Sequence, residues 1–146
     1  MRTRVALILA AASALTACAA DPPAPAPPKT LAVFGTITVP GGVTEQGLDG
    51  GPGQTCVMDG GYSDIRQGAQ VVVSDEKGTT IAIGNLGEGT LDLPNLQAWG
   101  TRSCVFPFLV KAPAGRRFYG VEVSHRGRLQ YTEAQLAEAL RLTLGS

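Results

Sequence analysis

The sequence predicts an all-β domain, an antiparallel two-sheet sandwich with one short C-terminal helix, and three observations lead there. The chain holds 19 glycines and only 5% aromatic residues, a composition that favours turns over long helices. From Leu31 onward, short alternating runs are divided by glycine-rich turns. Helical spacing occurs once, near the end, which is too little helix to cover the faces of a parallel sheet.

The N-terminus carries a different signal. Arg2 and Arg4 give a positive start, residues 5–15 form an apolar run broken only by Ser13, and small residues follow. This is the order of a secretory signal peptide over residues 1–17. A bilayer-spanning helix needs ~20 apolar residues, whereas this run ends at Cys18 and Pro22-Pro23. Proline at that point stops a helix, so the segment is expected to direct export and not to remain as a membrane span.

Leu15-Thr16-Ala17-Cys18 resembles the lipobox of bacterial lipoproteins. The resemblance implies a diacylglyceryl group on the Cys18 thiol, cleavage by signal peptidase II between Ala17 and Cys18, and acylation of the new amine. It implies a protein tethered to the cell membrane on its extracytoplasmic face. Each buried methylene contributes ~0.8 kcal/mol, so two or three acyl chains hold durably where one holds weakly. The alternative is a plain signal peptide with a cysteine near its end. Residues 18–30 then form a linker: Pro22, Pro23, Pro25, Pro27 and Pro28 are interleaved with alanine, a pattern that extends as polyproline II at ~3.1 Å per residue.

The sandwich domain is expected over residues 31–146. Residues 32–39 alternate around Phe34, Thr36 and Thr38 and stop at Pro40-Gly41-Gly42. A glycine-rich loop with few apolar side chains to bury follows over residues 41–53. Val71-Val72-Val73, the turn Asp75-Glu76-Lys77-Gly78 and residues 79–83 read as a hairpin. Residues 90–93 are expected to pair with 105–110. Residues 118–123 alternate and turn through His125-Arg126-Gly127 into 129–131. Thr132 and Gln135 form a capping box opening a helix over 132–139, with Leu136 and Leu140 as its apolar ridge. Arg141-Leu142-Thr143-Leu144 alternates as a last strand.

With Cys18 assigned to lipid, Cys56 and Cys104 remain. An even pair in an exported protein reads as a disulfide, expected to staple the two sheets together. Closing a loop of about 49 residues stabilises by ~4 kcal/mol on the chain-entropy model. A redox or metal pair is the alternative, but the chain has no Cys-x-x-Cys and a single histidine, His125. The mature chain loses Arg2 and Arg4, leaving ten basic against twelve acidic side chains. A net charge of −2 argues against nucleic acid or polybasic lipid recognition as the main role.

A longer pattern begins at Cys56. The run Cys56-x-x-x-Gly60-Gly61-Tyr62-x-Asp64-Ile65-x-x-Gly68-x-x-Val71-x-Val73-x-Asp75-x-x-Gly78-x-x-Ile81, followed by Cys104-x-Phe106-x-Phe108 and Phe118-Tyr119-x-Val121-x-Val123, resembles a group of small exported actinobacterial lipoproteins. The resemblance covers most of residues 31–144 and implies location and fold, with no activity. Its phrase Val71-x-Val73-x-Asp75-x-x-Gly78 also resembles hairpins of immunoglobulin-like and carboxypeptidase-regulatory-like sandwiches. It implies an immunoglobulin-like or transthyretin-like arrangement.

Candidate chemistry is sparse. A serine hydrolase needs a histidine beside its nucleophile; His125 lies in a turn, and no Gly-x-Ser-x-Gly elbow occurs. Asp59 and Asp64 flank Gly60-Gly61-Tyr62-Ser63 and could converge as a glycosidase pair, ~5–10 Å apart. With Asp49 they could instead offer oxygens to calcium, although the EF-hand spacing is missing. Aspartates and glycines in such loops also simply make turns. Tyr62 and Trp99, each near glycine, are candidate exposed rings for a sugar or a partner protein. Arg116 and Arg117, with Arg126 and Arg128 across the turn, are a candidate patch for an anionic envelope polymer.

The function expected is a non-enzymatic, lipid-anchored interaction or accessory module of the cell envelope. It would hold the membrane through its lipid, and an envelope protein or glycan through its loops, without a cofactor. A lipoprotein that binds calcium, a sugar or a small molecule at residues 59–64 is the alternative, and a hydrolase comes last.

Overall fold

The computed structural model describes residues 27–44, 51–92 and 102–145. The signal segment, Cys18, Asp49 and Trp99 lie outside the described residues. Among the described residues, eight strands form two four-stranded sheets. The strands are β1 (Thr30–Pro40), β2 (Gln70–Ser74), β3 (Thr80–Asn85), β4 (Thr90–Asp92), β5 (Ser103–Pro113), β6 (Tyr119–Val123), β7 (Arg128–Tyr131) and β8 (Leu140–Thr143). The first sheet runs β4-β5-β1-β8 and the second β3-β2-β6-β7, the all-β sandwich that the alternation predicts.

Alternation decides which side of each strand is buried. Val33, Ile37 and Val39 of β1 and Cys104, Phe106, Phe108, Val110 and Ala112 of β5 are all at most 5% exposed. They meet Val71, Val73, Tyr119, Val121 and Val123 from the second sheet in one core. A period of two puts successive side chains on opposite faces, so β1 from Val33 and β5 from Cys104 turn every second residue inward. β1 and β5 pair from Thr30↔Pro113 to Pro40↔Ser103, a ladder longer at both ends than residues 105–110. Pro107 fits within it because its carbonyl accepts from Gly87 N (2.7 Å), away from β1. The nitrogen that lacks a hydrogen faces the same way, so no bond to β1 is lost. Leu86 forms a bridge to Phe108, and the 86–87 segment thus covers the edge of β5 beyond the short β4.

The predicted hairpin over 71–83 forms as β2 and β3, antiparallel, with a register shift between Val73 and Ser74. Asp75 makes its turn by accepting from the backbone N–H groups of Lys77 (3.0 Å) and Thr79 (2.9 Å), an Asx-type closure. The predicted capping box also forms: Thr132 accepts from Gln135 N, and the Gln135 side chain accepts from Thr132 N. The helix it opens, α1 (Glu133–Leu136), is a single turn, shorter than residues 132–139. Its buried Leu136 fills the open side of the core, and the chain then leaves at once to reach β8.

β8 is where sequence reading falls short. It pairs parallel to β1, from Gly35↔Leu140 to Thr38↔Thr143, so the first sheet is not wholly antiparallel. The chain can lie there because residue 35 is glycine. A Cβ at that position would come within 2.8 Å of the Leu140 backbone carbon and nitrogen, closer than any real contact.

The disulfide forms between Cys56 and Cys104, but it does not join the two sheets. Cys104 lies in β5, whereas Cys56 lies in the irregular segment ahead of a 3-10 turn (Gly60–Tyr62). That segment touches the first sheet through a Thr55↔Thr90 bridge, and Cys56 N donates to Gly89 O. Glycine and proline leave it too little strand character to enter either sheet, so the bridge staples a loop onto β5.

The register gives the sandwich two unlike ends. β1 begins at one end, where Ala114 N donates to Lys29 O, beside the β2–β3 turn and the loop from β5 to β6. At ~3.3 Å per residue, the eleven residues of β1 place its other end roughly 36 Å away. That far end holds the disulfide, the 3-10 turn and the β6–β7 turn.

Candidate interaction surfaces

At the far end, the β6–β7 turn is strained and held by the 3-10 turn. Ser124 and His125 have φ of 48° and 59°, the left-handed region that two-residue hairpin turns require and that glycine or asparagine usually supplies. Neither residue is of that kind, so the conformation costs free energy. Compensating contacts surround it: Ser124 Oγ donates to Asp64 O (3.3 Å), and Arg126 makes a two-pronged pair with the Asp64 carboxylate. Arg126 also donates to Gly61 O and lies over the Tyr62 ring, 5.1 Å from its centroid. The paired guanidinium holds the Asp64 carboxyl well below its ordinary value, at about 2.

This pair makes stability depend on acid. A carboxyl lowered from 3.8 to about 2 contributes stability that is whole above the unfolded value and lost as pH falls through the folded one. Asp64 is 38% exposed in its side chain, so solvent screening reduces the contribution to about 1 kcal/mol. Urea titrations between pH 4 and pH 2 should show that loss, and the Asp64→Asn variant should show a correspondingly flatter profile.

The residues singled out in the sequence are therefore distributed as follows. Asp64 is committed to Arg126, while Asp59 is exposed on the other side of the turn. Among the described residues, no group of three or more His, Cys, Asp or Glu side chains converges as a metal site. Tyr62 is half-buried, with one face under Arg126 and its hydroxyl against Gly145. His125 is exposed, its Nδ1 3.4 Å from Glu122. The four arginines do not form one patch. Arg116 and Arg117 lie at the end where β1 begins and Arg126 at the far end, because a β-strand and its turn separate them. Arg128 starts β7 but reaches back over Gly120 toward Ser74 (3.5 Å) and Gly78.

Two surfaces remain that spacing alone could not reveal. One is a groove of about 970 Å³ on the first sheet near the far end, lined by Thr36, Thr38, Ser103, Val105, Arg141 and Thr143 among others. Its hydroxyls come from β1, β5 and β8, which are adjacent only because β8 pairs parallel to β1. The other is the end where β1 begins, where the Tyr119 hydroxyl donates to Glu133 (2.7 Å) and accepts from Arg116 N (3.1 Å). Glu133 also accepts from Gly115 N (2.8 Å). This part-buried network pins the β5–β6 loop to Tyr119 and Glu133, with Arg116 and Arg117 exposed on it.

Fold and surfaces together define a disulfide-bridged β-sandwich with a hydrogen-bonded loop cluster at each end. Compared with protein-family models, curated proteins and solved structures, the chain matches none.

Proposed function

We propose that this is a lipid-anchored lipoprotein of the cell envelope, a non-enzymatic interaction module whose far end meets another envelope component. The observation that carries the reading is a coincidence of position. The lipobox and proline linker lead into β1 at one end of the sandwich, while the stapled loop, the Asp64–Arg126 pair and the groove gather at the other. A tether at one end directs the opposite end away from the membrane. The disulfide supports an oxidising compartment. The calcium and sugar reading at residues 59–64 gains no support from the geometry, since Asp64 is already paired.

The test is made in cells. Cys18→Ala is expected to move the protein from the membrane fraction to the soluble one in a wash at about 1 M salt, which screens surface charge. A photoreactive side chain at the exposed Val57 should form adducts with an envelope protein or glycan, and one at Lys77 should not. Retention of Cys18→Ala on the membrane through that wash, or protein or glycan adducts from position 77 alone, would contradict the reading.

A further inference from the structure

We infer that the tether end of the sandwich is a docking surface for anionic lipid headgroups, so that the domain rests on its own membrane with its far end outward. This rests on the lipoprotein reading for its place in the cell, and on charge placement for its physics. Six basic side chains, Lys29, Lys77, Lys111, Arg116, Arg117 and Arg128, belong to this end by register and contact. Lys29 is bonded through its carbonyl to Ala114, Lys111 pairs with Ala32 near the start of β1, and Lys77 lies in the β2–β3 turn. The Arg128 guanidinium reaches that same turn at Gly78.

Four carboxylates share this end, Asp75, Glu76, Glu133 and Glu138, the last of them two residues ahead of the Leu140↔Gly35 pair. Two of them are turned inward: Asp75 accepts from the N–H groups of its own turn, and Glu133 accepts from Tyr119 and Gly115. All six basic residues are exposed, and the end carries a net charge of +2, six basic against four acidic. At the far end Asp59, Asp64, Glu88 and Asp92 outnumber Arg66, Arg102 and Arg126. The net −2 of the mature chain thus conceals a dipole along the sandwich, positive toward the lipid. An anionic soluble polymer could meet the same charge, but the tether holds only the membrane at this end.

The linker allows the contact. The eleven steps from Cys18 to Lys29 extend to roughly 34 Å as polyproline II. Standing upright, that stalk would hold the charges beyond the ~8 Å screening length of physiological salt. Inclined at the lipidated cysteine, it brings them onto the headgroups. The anchor supplies a high local concentration, so a weak surface interaction suffices. Each Lys or Arg near an anionic surface contributes about fivefold in partitioning.

The experiment uses the whole mature chain, residues 18–146, with Cys18→Ser so that no lipid contributes. Sedimentation is compared with vesicles of phosphatidylcholine alone and of phosphatidylcholine with phosphatidylglycerol. Binding is expected only to the anionic vesicles and should vanish near 1 M salt, where the screening length is about 3 Å. Arg116→Gln with Arg117→Gln should weaken it about thirtyfold at an unchanged thermal midpoint, and Arg66→Gln at the far end should leave it unaltered. Equal binding to neutral vesicles, an equal loss from Arg66→Gln, or binding to a soluble anionic glycan but not to vesicles would overturn the inference. None of these results bears on Cys18, whose lipidation is tested separately by fractionation.

Discussion

Replacing both cysteines, Cys56→Ala with Cys104→Ala, is expected to lower stability by about 4 kcal/mol, measured by urea denaturation of the oxidised and substituted chains. The bridge spans 48 residues, and opening so long a loop returns to the unfolded chain the entropy that the cross-link removed. Typical domain stabilities are ~5–15 kcal/mol, so the loss approaches the whole margin. It should also be local in origin. Cys56 and Cys104 are at most 2% exposed, and Gly42 packs against the Cys104 Cβ. Amides at Val43, Cys56 and Val57, which bond across this loop, should lose exchange protection before those of β2 and β6. A loss below about 1 kcal/mol would mean that residual structure already closes the loop in the unfolded chain.

Gly35→Val is expected to destabilise by about 3 kcal/mol, the upper range for forcing side-chain volume into a packed site. The obstacle is the backbone of Leu140, within 2.8 Å of where the Cβ would stand, and backbone cannot swing aside as a side chain can. β8 must therefore withdraw from β1. That exposes Leu140 and Leu142, now at most 9% exposed, and breaks the Leu144 N–H bond to Thr38 O (3.0 Å). Hydrogen exchange should show residues 140–144 released, with the β1–β5 ladder protected. The groove borders β8, so it should open as well. Full protection of residues 140–144 in Gly35→Val would show that β1 shifts instead.

Much of the fold was legible because it is local. The β2–β3 hairpin depends on Asp75 closing its own turn, and the capping box on two residues three apart. What was not legible depends on contacts distant in sequence. Nothing in Arg141-Leu142-Thr143-Leu144 says that its partner is β1 or that the pairing is parallel, and Gly35 reads as an ordinary strand glycine until Leu140 is beside it. The disulfide partners were legible from cysteine count, but not the element that Cys56 belongs to. In the same way, Asp64 reads as a free loop carboxylate until the turn 60 residues later brings Arg126 to it. The basic end was hidden by a near-neutral total, since Lys29, Lys77, Lys111 and Arg116 come from four separate segments.

The proposed tether at Cys18 underlies the whole functional account, and intact mass spectrometry of the protein extracted from membranes by detergent tests it most directly. The account predicts a chain beginning at Cys18, heavier than its polypeptide by a diacylglyceryl group, with Cys56 and Cys104 oxidised. A chain beginning at another residue, or one with Cys18 unmodified, would contradict it.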